Sequence, residues 1–307
     1  MSTTIEGRRR HSVGAVHRRR QTVVAWLFAL PFVAVFVTFM AGPLLTSLGM
    51  AVTDFSVKDI RSPFSVDVVW LQNVVTVLQD DQFRRALVNT AIFVAIGIPL
   101  TMVLGMTLAV ALNSGVTRFR AVFRAAFYTP VVTSIVAVAV VWRFMLQDSG
   151  LVNTMLGWVG LSGVDWLHDT RTALGAIILL AAWRNMGTLM IIYLAGLQAI
   201  PQEVDEAARM DGAGAARRFF GVTLPLMRPT LLLGAVLLSV GFLQVFEEPY
   251  VMTQGGPLDS TLTISYYVYD QFGYGNYAIA SAAAYVLFVF IALLSAVQFR
   301  LLRSKDA

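Results

Sequence analysis

The chain has 307 residues, 57% of them hydrophobic and only 13% charged, and a mean hydropathy of +0.70. Soluble domains carry roughly 25% charged residues, so the composition excludes an ordinary soluble globule and points to a polytopic membrane protein. With no cysteine in the sequence, disulfides, thiolate metal sites, thiol catalysis and iron–sulfur clusters are excluded.

Residues 1–21 form a basic tail carrying Arg8, Arg9, Arg10, Arg18, Arg19 and Arg20. The apolar run from Thr22 to about Gly42 exceeds the ~7–15-residue core of a cleaved signal and has no small-residue cleavage site after it. It reads as a first spanning helix with a cytoplasmic anchor. In all, six segments meet the length criterion for a span, at approximately 22–48, 86–112, 121–146, 172–199, 229–252 and 278–301. Pro31 and Pro99 fall inside the first two and predict kinks. The domain reading is one all-α membrane domain over 22–301, with a short tail at 302–307.

The net charge of +5 is distributed as a topology signal. Sixteen of the 23 Lys and Arg residues lie in the tails, the 113–124 junction and the 200–229 loop. The positive-inside rule therefore places both termini and the 200–229 loop on the cytoplasmic side of the plasma membrane. A nucleic-acid partner is not expected. The outer loops, about 50–85, 147–171 and 253–277, are too short for independent domains. Asp80 and Asp81 in the first of them read as a cap for the helix starting near Gln82.

In the fourth span, "AAWRNMGTLMIIY" places Arg184 and Asn185 near mid-membrane. An intramembrane charge is costly and marks a functional position by default. A hydrogen bond between helices and a place beside a polar cavity both stay open, as does pairing of Arg184 with Glu248.

The 200–229 loop is polar and helix-prone between two apolar runs. Pro201 suits a first helical turn, and Glu203, Asp205 and Glu206 place negative charge at the positive end of the helix dipole. Ala207 and Ala208 keep one face slim, and Gly212 ends the helix because only glycine takes φ > 0 cheaply. A second helix from Ala213 to Phe220 leads to Leu224-Pro225 and Pro229, which break the chain before the fifth span. A helix–glycine–helix element with a small-residue face suits docking into a groove on another protein.

These residues, "EAARMDGAGAARRFFGVTLP", resemble the EAA loop of ABC-importer permeases nearly position for position, with Val222 in place of isoleucine. The resemblance implies that the loop enters a cleft on an ATPase subunit, with Glu206 facing the ATPase and Gly212 forming the turn. Asp211, Leu224 and Pro225 complete the motif. The segment "VMTQGGPLDSTLTISYYVYDQFGYGNYAIASAAAYVLF" is similar to carbohydrate permeases of the maltose and glycerol-phosphate F/A type, and the likeness covers about 22–305. It implies that Gln244, Glu247 and Glu248 line a sugar path, with rings from Phe242, Phe246 and Tyr250. It also implies that Gly255, Gly256 and Pro257 form an outer turn against a binding protein. The implied partners are a second, different permease, two copies of an ATPase subunit and an extracellular sugar-binding lipoprotein. The basic tail and outer-loop wording further resemble permeases of actinobacterial trehalose importers.

The chain carries no Walker A loop, since Lys58 and Lys305 lack the preceding glycines. No cofactor is expected in it; ATP and magnesium belong to the partner ATPases. His11, His17 and His168 match no metal spacing, no G-x-S-x-G is present, and enzymatic activity in this chain is not expected. Two alternatives stay beside the importer: an ATP-independent secondary transporter or channel, which calls for inverted repeats not seen here, and a membrane enzyme acting on lipid-linked sugars. Within the importer reading, maltose and glycerol phosphate are the alternative solutes.

Overall fold

A computed structural model describes residues 21–22, 24–62, 65–114 and 119–303. The expected tails at 1–21 and 302–307, and Arg118, lie almost wholly outside the described residues. Helix dominates; the one β feature among the described residues is an isolated bridge between Thr53 and Val68. The all-α reading therefore stands.

In chain order, α1 (Val24–Ala51) leads to the short helix α2 (Gln72–Gln79) and the long α3 (Asp81–Ser114). Next come α4 (Arg120–Val132), α5 (Ile135–Met145), the short helix α6 (Leu151–Trp158) and α7 (Ala173–Gln198). The polar loop gives α8 (Gln202–Met210) and α9 (Ala215–Leu226), followed by α10 (Arg228–Leu243). Short helices α11 (Glu247–Met252) and α12 (Ile264–Gly273) precede α13 (Tyr277–Arg303).

Four helices, α1, α3, α7 and α13, are continuous and apolar enough to cross a membrane. The bent pairs α4–α5 and α9–α10 raise the number to six if each counts as one span. Two of the expected spans are thus corrected. The third breaks at Thr133–Ser134 and turns by 97°. The fifth stops at Leu243, and α11 is a separate helix.

The expected kinks also move. Helix α3 runs without a break through Pro99, and no irregularity falls at Pro31. Helical spacing instead widens to π turns at Val37–Ala41 and Phe219–Thr223. In the first the Gly42 N–H reaches back to the Val37 carbonyl, and in the second the Leu224 N–H reaches the Phe219 carbonyl. Each turn ends just before a proline, Pro43 or Pro225. A proline ring presses on the carbonyl four residues back and cannot bond to it. One turn of π spacing opens that position while keeping the helix.

The larger core centres on α7, the most buried of the four continuous spans. Small residues let its neighbours close in, as in membrane bundles generally. A Cβ on Gly105 of α3 would lie 2.6 Å from Leu189 Cβ, and one on Gly187 would overlap the Phe127 carbonyl oxygen of α4. A second core joins α1, α2, α3, α12 and α13 around Phe83, Tyr267 and Ala283. There the Tyr267 hydroxyl donates to Asp80 (2.6 Å), whose other oxygen accepts from the Gln82 N–H (2.8 Å) and caps α3.

Candidate functional site

The hairpin α8–α9 is built around one glycine. Gly212 sits at φ +73°, the Ala213 N–H bonds to the Ala208 carbonyl and the Gly212 N–H to that of Arg209. These are the paired bonds of a left-handed helix stop. Pro201 is the residue ahead of α8, with ψ 139°, and not part of its first turn. Glu203 and Asp205 occupy that turn, whereas Glu206 lies beyond it and adds little to the dipole.

Asp205 ties the two helices together, holding Arg209 at 2.8 Å and Arg218 at 3.0 Å. The outer face of α8 then presents Glu203, Glu206, Ala207 and Met210, all exposed, with Met210 88% accessible. Their spacing of three, four and seven residues puts them on one side of the helix. Ala208 is buried on the other side, so the slim face expected from Ala207 and Ala208 is divided. Asp211 is exposed beside the turn. Leu224 and Pro225 do not break the chain: α9 passes through them, and the 67° bend falls at Met227, whose side chain is buried. Met210 escaped the sequence reading because an apolar residue in a motif reads as packing.

No atom crowds the position a Gly212 Cβ would take, so its requirement is purely conformational. Gly212→Val is expected to strain the turn by about 1–2 kcal/mol and to lower sugar-driven ATP hydrolysis several-fold in the assembled complex. Gly212→Asn, which tolerates this conformation, should retain most of it. Equal rates in both variants would sink the turn's role.

Within the membrane, the Arg184 guanidinium donates from Nη2 to the Val131 carbonyl (3.5 Å) in the last turn of α4. The chain break at Thr133–Ser134 leaves that carbonyl without its helical partner, and a cation suits a helix C-terminus. The Arg184 Nε is buried without a hydrogen bond. None of the ion pairs among the described residues joins Arg184 to Glu248. Asn185 donates to the Ala181 carbonyl of its own helix (2.9 Å). Arg184→Ala should lower thermal stability of the complex by about 1–2 kcal/mol, measured by a thermal shift, while Arg184→Lys recovers part of it. Unchanged stability with lower uptake would instead place Arg184 in the permeation path.

The residues expected along a sugar path fall on two sides of the break between α10 and α11. Phe242 is buried against Phe93, ring centroids 5.2 Å apart, and belongs to the core. Glu248 is buried on α11, while Glu247 is exposed. Gln244 is exposed and opens on a cavity of about 350 Å³ with Ser265 and Val268 of α12. Phe246 and Tyr250 join Tyr266 and Tyr269 in a four-ring cluster, with Phe246–Tyr269 centroids at 5.0 Å and Tyr250–Tyr266 at 5.5 Å. Tyr250 and Tyr269 are 40% and 49% accessible. Burial, with Asp270 nearby, pushes the Tyr266 phenol up to about 12, and a hydrogen bond with Tyr250 raises that of Tyr269. The Tyr266 and Tyr269 phenols are therefore held neutral. Tyr266 and Tyr269 were missed in the sequence; their i, i+3 spacing was the available signal.

The turn at Gly255–Pro257 is tightly braced. Thr253 and Thr261 hydroxyls meet at 2.7 Å, and the Asn89 amide donates to the carbonyls of Asp259 and Leu262. Gln254, Leu258 and Asp259 all take positive φ, a costly state for non-glycine residues. Gly255 is buried against Tyr266 and Leu262, so of the expected contact trio it faces inward. Gly256 and Pro257 are half-buried, and Leu258, 83% accessible, forms the tip.

Residues 86–305 match the family described as "Binding-protein-dependent transport system inner membrane component". The chain is 34% identical over 294 residues to the lactose transport system permease protein LacF of Rhizobium radiobacter, covering 94% of this chain and 97% of that one. It is 32% identical over 276 residues to the trehalose/maltose transport system permease protein MalF of Thermococcus litoralis, covering 89% and 91%. Among solved structures, it resembles a chain of a bacterial alginate ABC transporter in complex with an alginate pentasaccharide-bound periplasmic protein. The TM-score is 0.79 at 25% identity, over 92% of this chain and 95% of that one.

Proposed function

The chain belongs to the family of binding-protein-dependent transport system inner membrane components, and from that premise we propose that it is one permease half of an ATP-driven importer for a neutral disaccharide, trehalose in the first instance. The observation that carries the sugar reading is the interrupted helix at Gln244–Phe246, with an exposed amide within the break and the partly exposed ring cluster of Tyr250 and Tyr269 following it. Rings offer faces to the C–H surfaces of a sugar, and the amide offers donors and an acceptor to its hydroxyls. No cation lines the adjoining cavity, which disfavours glycerol phosphate.

In this proposal a second, different permease completes the translocation path. Two ATPase subunits, which hold the ATP and magnesium, receive the face Glu203–Glu206–Ala207–Met210. This chain itself holds no cofactor and catalyses no reaction. ATP binding draws the ATPases together, and the braced hairpin passes that motion to α10 through the bend at Met227. An extracellular sugar-binding protein delivers the ligand at the outer loops, with Leu258 at the tip of the contact. Both termini are cytoplasmic.

The test is uptake of labelled trehalose, maltose and glycerol phosphate by cells with and without the chain. Selective loss of trehalose uptake is expected. Loss of another sugar alone would reassign the substrate, and loss of none would overturn the sugar reading. Tyr269→Ala should raise the half-saturating trehalose concentration roughly two- to tenfold, the worth of one aromatic contact. An unchanged value would remove the ring cluster from the path.

A further inference from the structure

A cavity of about 540 Å³ opens where the N-terminal part of α3, the approach to α7 and the turn after α11 meet. Arg84, Arg85 and Asn89 line it from α3, Thr170 from the approach to α7, and Asp259 and Ser260 from the turn. Gly97 and Gly105 of α3 lie against Ile178 and Leu189 of α7, so the two helices run in the same direction. Their N-terminal ends therefore share the end of the bundle away from the hairpin α8–α9, which follows the last turn of α7.

The lining is polar and loosely partnered. The Ser260 hydroxyl is buried without a hydrogen bond, a costly state that an inserted polar group relieves. Arg84 pairs with Asp81 at 3.4 Å and Arg85 with Asp259 at 3.7 Å, yet the two arginine side chains stay 57% and 61% accessible. Exposed pairs of this kind hold little energy, so an incoming carboxylate can take either guanidinium. The Arg84 Nε donates to the Leu78 carbonyl (2.9 Å), which anchors that side chain at the rim. No aromatic ring lines the cavity, so it lacks the faces on which the sugar reading relies. Beside it Leu258 projects from a backbone at positive φ, and Asn89 grips the turn through the Asp259 and Leu262 carbonyls. An apolar knob among polar groups, on a rigid support, is the anatomy of a protein interface.

We infer that this cavity receives a loop of the sugar-binding protein, with a carboxylate of that loop on Arg84 and Arg85, a polar group on Ser260 and an apolar contact on Leu258. The inference rests on the importer reading and adds the chemistry of the contact. The family is binding-protein-dependent, and the cavity lies at the end of the bundle where that reading puts the binding protein.

The experiment takes the complete complex in lipid nanodiscs and titrates its binding protein, loaded with the sugar that the uptake assay identifies, reading ATP hydrolysis. Arg84→Glu should raise the half-stimulating concentration about tenfold at low salt, and the difference should shrink as salt screens the charges. Thr170→Trp, which fills the cavity, and Thr170→Glu should also raise it, whereas Thr170→Lys should lower it. Unchanged values for Arg84→Glu and Thr170→Trp overturn the site. A cysteine at Thr170, in a chain that has none of its own, is the second arm and alters no charge. It should react with a maleimide in the complex and be protected by saturating binding protein. Full reaction with the binding protein bound means that nothing covers the cavity, and protection before it is added means that another subunit does; either result overturns the site. Wild type that no concentration of binding protein stimulates would bring down the importer reading, and this site with it. Stimulation that ignores Arg84 and Thr170 removes this site alone.

Discussion

Glu206→Lys is expected to abolish sugar-driven ATP hydrolysis in a complex that still assembles in the membrane. Glu206 is exposed in the middle of α8 and makes no ion pair among the described residues, so the fold does not consume its charge. Reversing it costs the isolated chain little, since surface substitutions usually fall within about 0.5 kcal/mol. At a docked interface the same reversal brings like charge or a stranded cation, worth several kcal/mol. About 3 kcal/mol is roughly a hundredfold in docking equilibrium. Stability and coupling should therefore separate: a thermal shift near zero, and stimulated hydrolysis reduced to the basal rate. Glu206→Gln, which keeps the shape, should fall between. A Glu206→Lys complex with normal coupling would remove the hairpin from ATPase docking. A complex that fails to assemble would give Glu206 a structural role for which no contact is seen.

The hairpin was legible because its determinants are local. A helix stop at Gly212 needs only a residue that accepts φ +73°, and the sequence offers glycine after an alanine-rich helix. The spans were legible as apolar lengths for the same reason. The breaks were not. At Thr133–Ser134 the 97° turn falls on no glycine or proline, and Pro130, three residues earlier, lies inside α4; the Thr133 hydroxyl takes the Thr129 carbonyl, and Arg184, fifty-odd residues away, answers the Val131 carbonyl. The stop at Leu243 has a signal visible in retrospect. Pro249 cannot donate to the carbonyl of Val245 four residues back, and that carbonyl accepts instead from the Thr263 hydroxyl at 2.7 Å. Proline alone did not predict this, because Pro99 sits in an unbroken helix. What differs is a tertiary donor waiting for the freed carbonyl. The division of Phe242 from Phe246 across the same break, one ring to the core and one to the aromatic cluster, depends on that donor too.

The second large effect is expected at Gly187, where two sequence-level rules give the wrong sign. Replacing glycine by alanine in a helix interior gains about 1 kcal/mol of propensity, and the added methyl makes the span more apolar. By those terms Gly187→Ala should stabilise α7. The packing opposes it. The new Cβ would overlap the Phe127 carbonyl oxygen and lie 3.0 Å from its carbon and 3.1 Å from Tyr128 Cα. All three atoms are backbone of α4, so no rotamer change relieves the clash and the helices must separate. Overpacking typically costs about 1–3 kcal/mol, and the loss grows here because Arg184 reaches Val131 one turn along the same contact. The clash should win, lowering the thermal midpoint of the complex for Gly187→Ala and preventing accumulation of Gly187→Leu. Gly175 on the same helix is the control, since nothing lies within 4 Å of its would-be Cβ. Gly175→Ala should be neutral or stabilising by up to about 1 kcal/mol. If the two alanine variants shift stability alike, helix propensity and not the α4–α7 approach governs this span, and the close crossing at Gly187 is wrong.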